Sequence, residues 1–306
     1  MQLTSFYQFT PVRGIPMMRA RTEHRARQAG LLGTVLLAEE GINGSLAGPH
    51  GAADSLLDWL ALELGAQRWV VNRQEVEEAP FRRLKVRIRP EIIRFDRPDP
   101  GLAEQAGEHV TPQRWDELIG RGDVRLVDTR NDYEVRLGSF TGAENPSTDS
   151  FRDFTEWVES NLDPARDRNV AMFCTGGVRC EKASAWMRSR GFENVFQLEG
   201  GILSYLDHKG GSESHWQGEC FVFDDRVSLD HRLQPTGRML CQACRRPADG
   251  LDRDGLPPVA NGACAHCTQA LTPQRVAGLR ERARQVRLAI QEDRNHLGPQ
   301  DPVGDS

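Results

Sequence analysis

The 306-residue chain has no apolar run long enough to span a bilayer and no basic-then-apolar segment at its start. A transmembrane or secreted enzyme is therefore not what it suggests, and the expectation is a cytoplasmic protein with no membrane partner. It also has no flavin or nicotinamide fingerprint and no two-histidine, one-carboxylate set for non-haem iron. Positive charge is not in excess: 39 Lys and Arg stand against 44 Asp and Glu, a net −5, so the overall balance does not announce nucleic acid. Seven cysteines are an odd number and include two CxxC pairs, which suits metal binding and catalysis in a reducing compartment and not a disulfide framework. The apolar fraction (38%) and charged fraction (27%) are ordinary, and the length allows two or three domains with their own cores.

Against that background one stretch stands out. Val170 to Phe173 form a short apolar run of the kind that makes a buried strand, and from Glu181 onward Lys182, Ala183, Ser184, Ala185 and Trp186 favour helix. Cys174 lies between them, followed by Thr175, Gly176, Gly177, Val178 and Arg179. Small residues let the backbone curl around the sulfur and turn N–H groups inward, while a helix N-terminus and the Arg179 charge favour an anionic thiolate. A nucleophilic cysteine needs such surroundings. The plain alternative is a structural cysteine closing a strand, but a core strand end needs neither two glycines nor a guanidinium. Cys180 is either a second, resolving thiol or a packing residue at the helix start. Isolated glycines such as Gly201 and Gly211 carry no signal in this reading.

Residues 1–97 read as a small α/β domain in βαββαβ order, a ferredoxin-like α+β arrangement with helices on one face. Strands are expected at Phe6–Phe9, Thr34–Leu37, around Gly44–Ala47, at Trp69–Val71 and at Leu84–Ile88, with a turn near Gly41–Gly44. Arg83, Lys85, Arg87 and Arg89 alternate with Leu84, Val86 and Ile88, which puts four positive charges on one strand face. This region holds 14 Lys and Arg against 11 Asp and Glu, a surplus of three in a chain that is negative overall. A solvated strand face is the bland account; phosphate-backbone contact is the better one, because neighbouring like charges repel.

A Pro-, Gly- and Asp-bearing linker over 98–108 leads to a second domain at 109–215, where strands alternate with helices and imply a parallel sheet covered on both sides. Cys174 falls at the carboxyl end of one strand, where ligands bind in such sheets. Asp128 and Arg130 end another, and are either loop or substrate supports or a turn cap and a surface charge. Over 216–270, Cys241-x-x-Cys244 and Cys264-x-x-Cys267 are separated by nineteen residues poor in apolar side chains. That spacing suits four thiolates around a structural zinc, with His266 and His231 as other ligands. Residues 271–306 comprise a basic amphipathic helix, with Val276, Leu279, Val286 and Ile290 near one stripe, and a polar tail.

Cys174–Ser184, with Leu126–Arg130 and Glu199–Ile202, resembles a rhodanese-like domain, in which a cysteine in a six-residue loop carries a persulfide. Related phosphatases have a loop one residue longer, so the resemblance disfavours phosphatase chemistry. Ala38-Glu39-Glu40-Gly41-Ile42-Asn43-Gly44, the rhodanese loop, Cys220–Arg226 and the paired CxxC together resemble the bacterial tRNA uridine hydroxylase family over roughly residues 5–270. The resemblance implies an acylphosphatase-like first domain, Cys174 as the catalytic residue, the tRNA anticodon loop as partner and oxygen-dependent hydroxylation of uridine 34 at C5. It leaves open how oxygen is activated and which protein donates electrons or sulfur. Two rivals remain at this stage: a persulfide-carrying sulfurtransferase, and a non-catalytic RNA-binding module.

Overall fold

A computed structural model describes residues 1–65, 69–97, 106–241, 243–248, 267 and 272–291. The chain splits into two compact units: Met1–Phe221 with Asp230–Gln234, and Val222–Leu229 with 235–306.

The first unit opens with β1 (Gln2–Phe9), α1 (Ile15–Gln28), β2 (Leu32–Ala38), β3 (Gly41–Gly48), α2 (Ala52–Leu64), β4 (Val70–Glu75) and β5 (Leu84–Ile88). Its sheet runs β4-β1-β3-β2-β5. The first four strands have the ferredoxin-like order, and β5 adds an edge strand parallel to β2. Phe6, Val35, Leu37, Ile42 and Leu46 form the sheet side of the core, met by Met18 and Ala26 of α1 and Leu56, Leu57 and Leu60 of α2. Glu39 and Glu40 alone make the β2–β3 turn, while Gly41–Gly44 pair with β1 and β2. The turn expected at those glycines is therefore a strand, because a two-residue hairpin leaves them inside the ladder. The alternation along β5 holds at buried Leu84 and Val86, but Ile88 is 42% exposed. Ile88 pairs with Leu37, one residue short of the end of β2, so little sheet remains to cover it.

The second domain of this unit contains β6 (Glu108–Val110), α3 (Pro112–Ile119), β7 (Arg125–Asp128), α4 (Asp132–Val135), β8 (Gly138–Phe140), α5 (Phe154–Asn161), β9 (Asn169–Phe173), α6 (Val178–Ser189), β10 (Asn194–Leu198) and α7 (Gly201–Lys209). Strands β6-β10-β9-β7 form one parallel sheet. Alternate residues of β9 serve opposite faces. Val170 and Met172 pack with Phe154, Val158, Ala183 and Met187 of α5 and α6. Phe173 meets Trp115 of α3 and Phe140 of β8 edge-on on the other side. The expected parallel sheet covered on both sides is what forms.

The second unit carries a hairpin of Met239–Leu240 with Pro247–Ala248 and helix α8 (Pro273–Gln291). Leu279 of α8 is buried against Cys241 and Cys267. Among the described residues no helix is long and apolar enough to cross a membrane.

Candidate active site and metal centre

Cys174 follows the last residue of β9, and α6 begins four residues later at Val178, three residues earlier than the sequence suggested. Arg179 and Cys180 therefore belong to the first helical turn, and the positive end of α6 faces the loop. Gly177 caps the helix at φ +100°, a left-handed conformation that side-chain-bearing residues rarely adopt. Its N–H donates to Cys174 Sγ at 3.1 Å.

The sulfur is 1% exposed at the residue level, and burial alone pushes its thiol pKa up. A hydrogen bond from the Cys180 thiol, the Arg179 charge and the backbone N–H groups of Arg179 and Cys180 more than reverse this, holding it at about 6. Burial pushes the Cys180 thiol the other way, and the neighbouring Cys174 charge adds to it, so Cys180 stays protonated and donates. Thr129 Oγ1 lies 3.7 Å from Cys180 Sγ and donates to Phe173 O at 3.0 Å, fixing Cys180 against the sheet.

Arg179 does not project freely into the loop. Both its terminal nitrogens bind Glu134, each at 2.7 Å, in a buried bidentate pair. Glu134 is placed by a capping box in which its carboxylate also accepts from the Asn131 N–H. Asp128 and Arg130 form another fully buried bidentate pair at 2.9 and 2.7 Å. Arg130 also donates to Gly138 O, and Ser139 donates to Asp128. The surface charge considered for Arg130 is thus excluded: the pair ties the end of β7 to β8.

Several residues at the site have no signal in the sequence reading. Tyr7, from β1 of the first domain, donates to Glu181 Oε1 at 2.9 Å. A Cβ on Gly177 would come within 2.8 Å of the Tyr7 hydroxyl, so the two domains meet over the loop. Glu181 also accepts from Gln197 at 3.1 Å and lies 3.3 Å from His109 Nε2. One residue on, Lys182 bonds Glu40 at 2.8 Å, Ile93 O at 3.0 Å, and Glu91. Glu40 in turn accepts from the Ile92 N–H, and Asn43 donates to Ile92 O. Glu40 is thereby an interdomain brace, and Glu40 and Asn43 together hold the Ile92 segment of the first domain in place.

Gly201 corrects the expectation that it carries no signal. At φ +66°, a Cβ there would lie 2.5 Å from Cys174 O and 2.6 Å from Thr175 O. The N–H groups of Ile202 and Leu203 donate to those same carbonyls at 3.0 and 3.1 Å. Helix α7 therefore holds the loop from behind, and Asn72 of the first domain holds Gly200 O at 3.0 Å. Cys220 is also buried near the site, its thiol pushed up to about 12 by burial, which makes it inert.

A UPF0176 acylphosphatase-like domain profile matches residues 1–92 and a rhodanese-like domain profile matches residues 111–208. The chain thus carries a UPF0176 acylphosphatase-like domain followed by a rhodanese-like domain. Solved structures similar to parts of this chain include a rhodanese-like domain from Anabaena sp. (20% identity, 36% of this chain, 78% of that one, TM-score 0.31). Others are an acylphosphatase from Bacillus subtilis (17%, 28%, 98%, 0.25) and a rhodanese-related protein from Thermoplasma volcanium (22%, 33%, 92%, 0.27).

The predicted basic strand lies on the edge of the first domain's sheet, with Arg83, Arg87 and Arg89 exposed and Lys85 half-buried. In the second unit the sulfurs of Cys241, Cys244 and Cys267 lie within 4.8 Å of one another, positioned to hold a metal ion. Three convergent thiols, two of them buried, fit a soft or borderline cation. Cys264 and His266 lie outside the described residues. Of the expected apolar stripe on α8, Leu279 is buried and Val276 half-buried; the side chains of Val286 and Ile290 lie outside the described residues.

Proposed function

We propose that this protein hydroxylates uridine 34 of tRNA at C5, with dioxygen as co-substrate and Cys174 as nucleophile. The observation that carries the reading is a buried cysteine whose sulfur accepts the Gly177 N–H at 3.1 Å at the head of α6, in a rhodanese-like domain joined to a UPF0176 domain. Uracil is electrophilic at C6, and thiolate addition there makes C5 an enolate carbon able to react with oxygen. The Gly177 N–H and the α6 N-terminus keep the sulfur anionic until it adds. Gly176 and Val178 are the half-exposed residues of the loop. Because Cys174 is 1% exposed, a base reaches Sγ only when the cover over the loop, Tyr7 included, opens.

Arg83, Lys85, Arg87 and Arg89 would contact the phosphate backbone, since unpaired anticodon bases are recognised alongside electrostatic contacts. The three described cysteines, with Cys264, would hold a structural zinc, which does no redox chemistry. The site of action would be the cytoplasm, where tRNA is available. Incubation with unmodified tRNA under 18O2, followed by nucleoside mass spectrometry, tests the reading: label in 5-hydroxyuridine supports it, and full activity of Cys174→Ser overturns the role of the thiolate.

A second reading, persulfide sulfurtransfer, is favoured by the N–H groups around Sγ, which would equally stabilise an outer persulfide sulfur. Cyanide–thiosulfate turnover comparable to that of rhodaneses, without tRNA hydroxylation, would select it. A non-catalytic RNA-binding module needs no thiolate of this kind.

A further inference from the structure

C5 hydroxylation by dioxygen requires two electrons beyond those in uracil, because one oxygen atom enters the base and the other must leave as water. We propose that Cys180 supplies them together with Cys174, so that each turnover ends in a Cys174–Cys180 disulfide. This rests on the hydroxylase reading and adds the identity of the immediate reductant.

The geometry supplies the pairing. Cys180 stands in the first turn of α6, six residues after Cys174, and both belong to one buried cluster; Thr129 Oγ1, 3.7 Å from Cys180 Sγ, donates to the carbonyl of Phe173, the residue before Cys174. Both are buried, so neither is open to solvent oxidants in the resting protein. Thr129 and the sheet hold Cys180 from the other side. Among the described residues of the first unit, Cys220 is the third thiol, and its sulfur bonds Phe221 O, not Cys174.

The bookkeeping closes. Cys174 adds through Sγ to C6, and C5 takes up dioxygen and a proton to give a 5-hydroperoxide on the saturated ring. The Cys180 sulfur attacks the outer peroxide oxygen; the O–O bond breaks, leaving a C5 hydroxyl and Cys180 sulfenic acid. Loss of the C5 proton expels Cys174 from C6 and restores the C5–C6 double bond, giving 5-hydroxyuridine. The freed Cys174 thiolate attacks the sulfenic sulfur, forming the disulfide and releasing water. The sum is uridine, dioxygen and two thiols giving 5-hydroxyuridine, a disulfide and water. C5 is bonded to C6, so the peroxide forms within a few bonds of Cys174 Sγ, in the buried cluster that also holds Cys180. A dithiol such as a thioredoxin-type protein or dithiothreitol would then reduce the pair, as an electron-donor partner.

The test is a single-turnover experiment on full-length protein, fully reduced and freed of external thiol, mixed with unmodified tRNA in air. About one 5-hydroxyuridine per chain should form, with one Cys174–Cys180 disulfide found by peptide mass spectrometry. Added dithiothreitol should restore multiple turnover. Cys180→Ser keeps a hydroxyl donor beside Cys174, and should lose the thiol-free burst at least tenfold while dithiothreitol partly rescues it. Its Cys174 should retain a low-pH reactivity profile, which separates loss of electrons from loss of fold. If wild type makes 5-hydroxyuridine without that disulfide, or Cys180→Ser keeps the burst, the inference falls and the hydroxylase reading stands. If no hydroxylation occurs with or without dithiothreitol, both fall.

Discussion

The ionisation of Cys174 gives the sharpest physical prediction. A thiol titrating at about 6 is roughly nine-tenths ionised at pH 7, where one at 9.0 is about 1% ionised. That near-hundredfold advantage does not appear in full as rate. Lower basicity weakens the nucleophile with a Brønsted slope of about 0.4–0.5, which over three units removes about 20- to 30-fold. A net gain of only several-fold remains, and burial of the sulfur reduces it further. The diagnostic is therefore the shape of the pH profile. With a disulfide probe such as dipyridyl disulfide, the Cys174 rate should rise as pH increases through about 6 and then level off, falling about tenfold between pH 7 and 5. An ordinary thiol falls about a hundredfold over that interval and still climbs between pH 7 and 9. Removing Arg179 alone would leave Glu134 buried and uncompensated, costing about 3–5 kcal/mol. The informative perturbation is the paired Arg179→Met and Glu134→Gln, which keeps the packing and should move the inflection up by about 1–3 units. A wild-type inflection near 8–9, or one that the double substitution leaves unmoved, would refute the electrostatic account.

Other consequences follow from the same contacts. Tyr7→Phe removes a donor to the buried Glu181 carboxylate and should cost about 1.5–3 kcal/mol in denaturant unfolding, while speeding modification of Cys174 by loosening its cover. Gly201→Ala forces a left-handed backbone worth about 1–2 kcal/mol and drives a methyl into the Cys174 carbonyl. It should abolish activity more completely than it lowers stability, as melting and turnover measured together would reveal. Lys182→Met leaves Glu40 and Glu91 facing each other without their shared cation and should cost about 3–5 kcal/mol, read from chemical denaturation. Chelation should release one metal ion per chain and raise proteolysis within the cysteine-bearing unit, leaving Cys174 reactivity unchanged; elemental analysis with limited proteolysis checks this.

Much of the fold could be read from periodicity and punctuation. Val170–Phe173 announced a doubly covered parallel strand because both faces are apolar, and Thr111-Pro112 marked the start of α3. The Cys174–Arg179 loop was legible because glycine, cysteine and arginine together have few other uses. What escaped was long-range. Tyr7 looks like any core aromatic in β1, and only the packing of two domains brings it to Gly177. Glu134 and Lys182 look like ordinary surface charges until Arg179 and Glu40 are folded against them. Gly201 appeared neutral because the demand for glycine comes from a loop about 26 residues away in sequence, and no local pattern records it. Helix α6 begins before Glu181 because Gly177 and the anchored loop cap it there, overriding the weak helix preference of Val178.

The measurement that bears most directly on the account is nucleoside mass spectrometry of tRNA from a host lacking this protein, complemented with wild type or with Cys174→Ala. The account predicts 5-hydroxyuridine and its derivatives with wild type only. Their presence with Cys174→Ala, or a response confined to thiolated nucleosides, would contradict it.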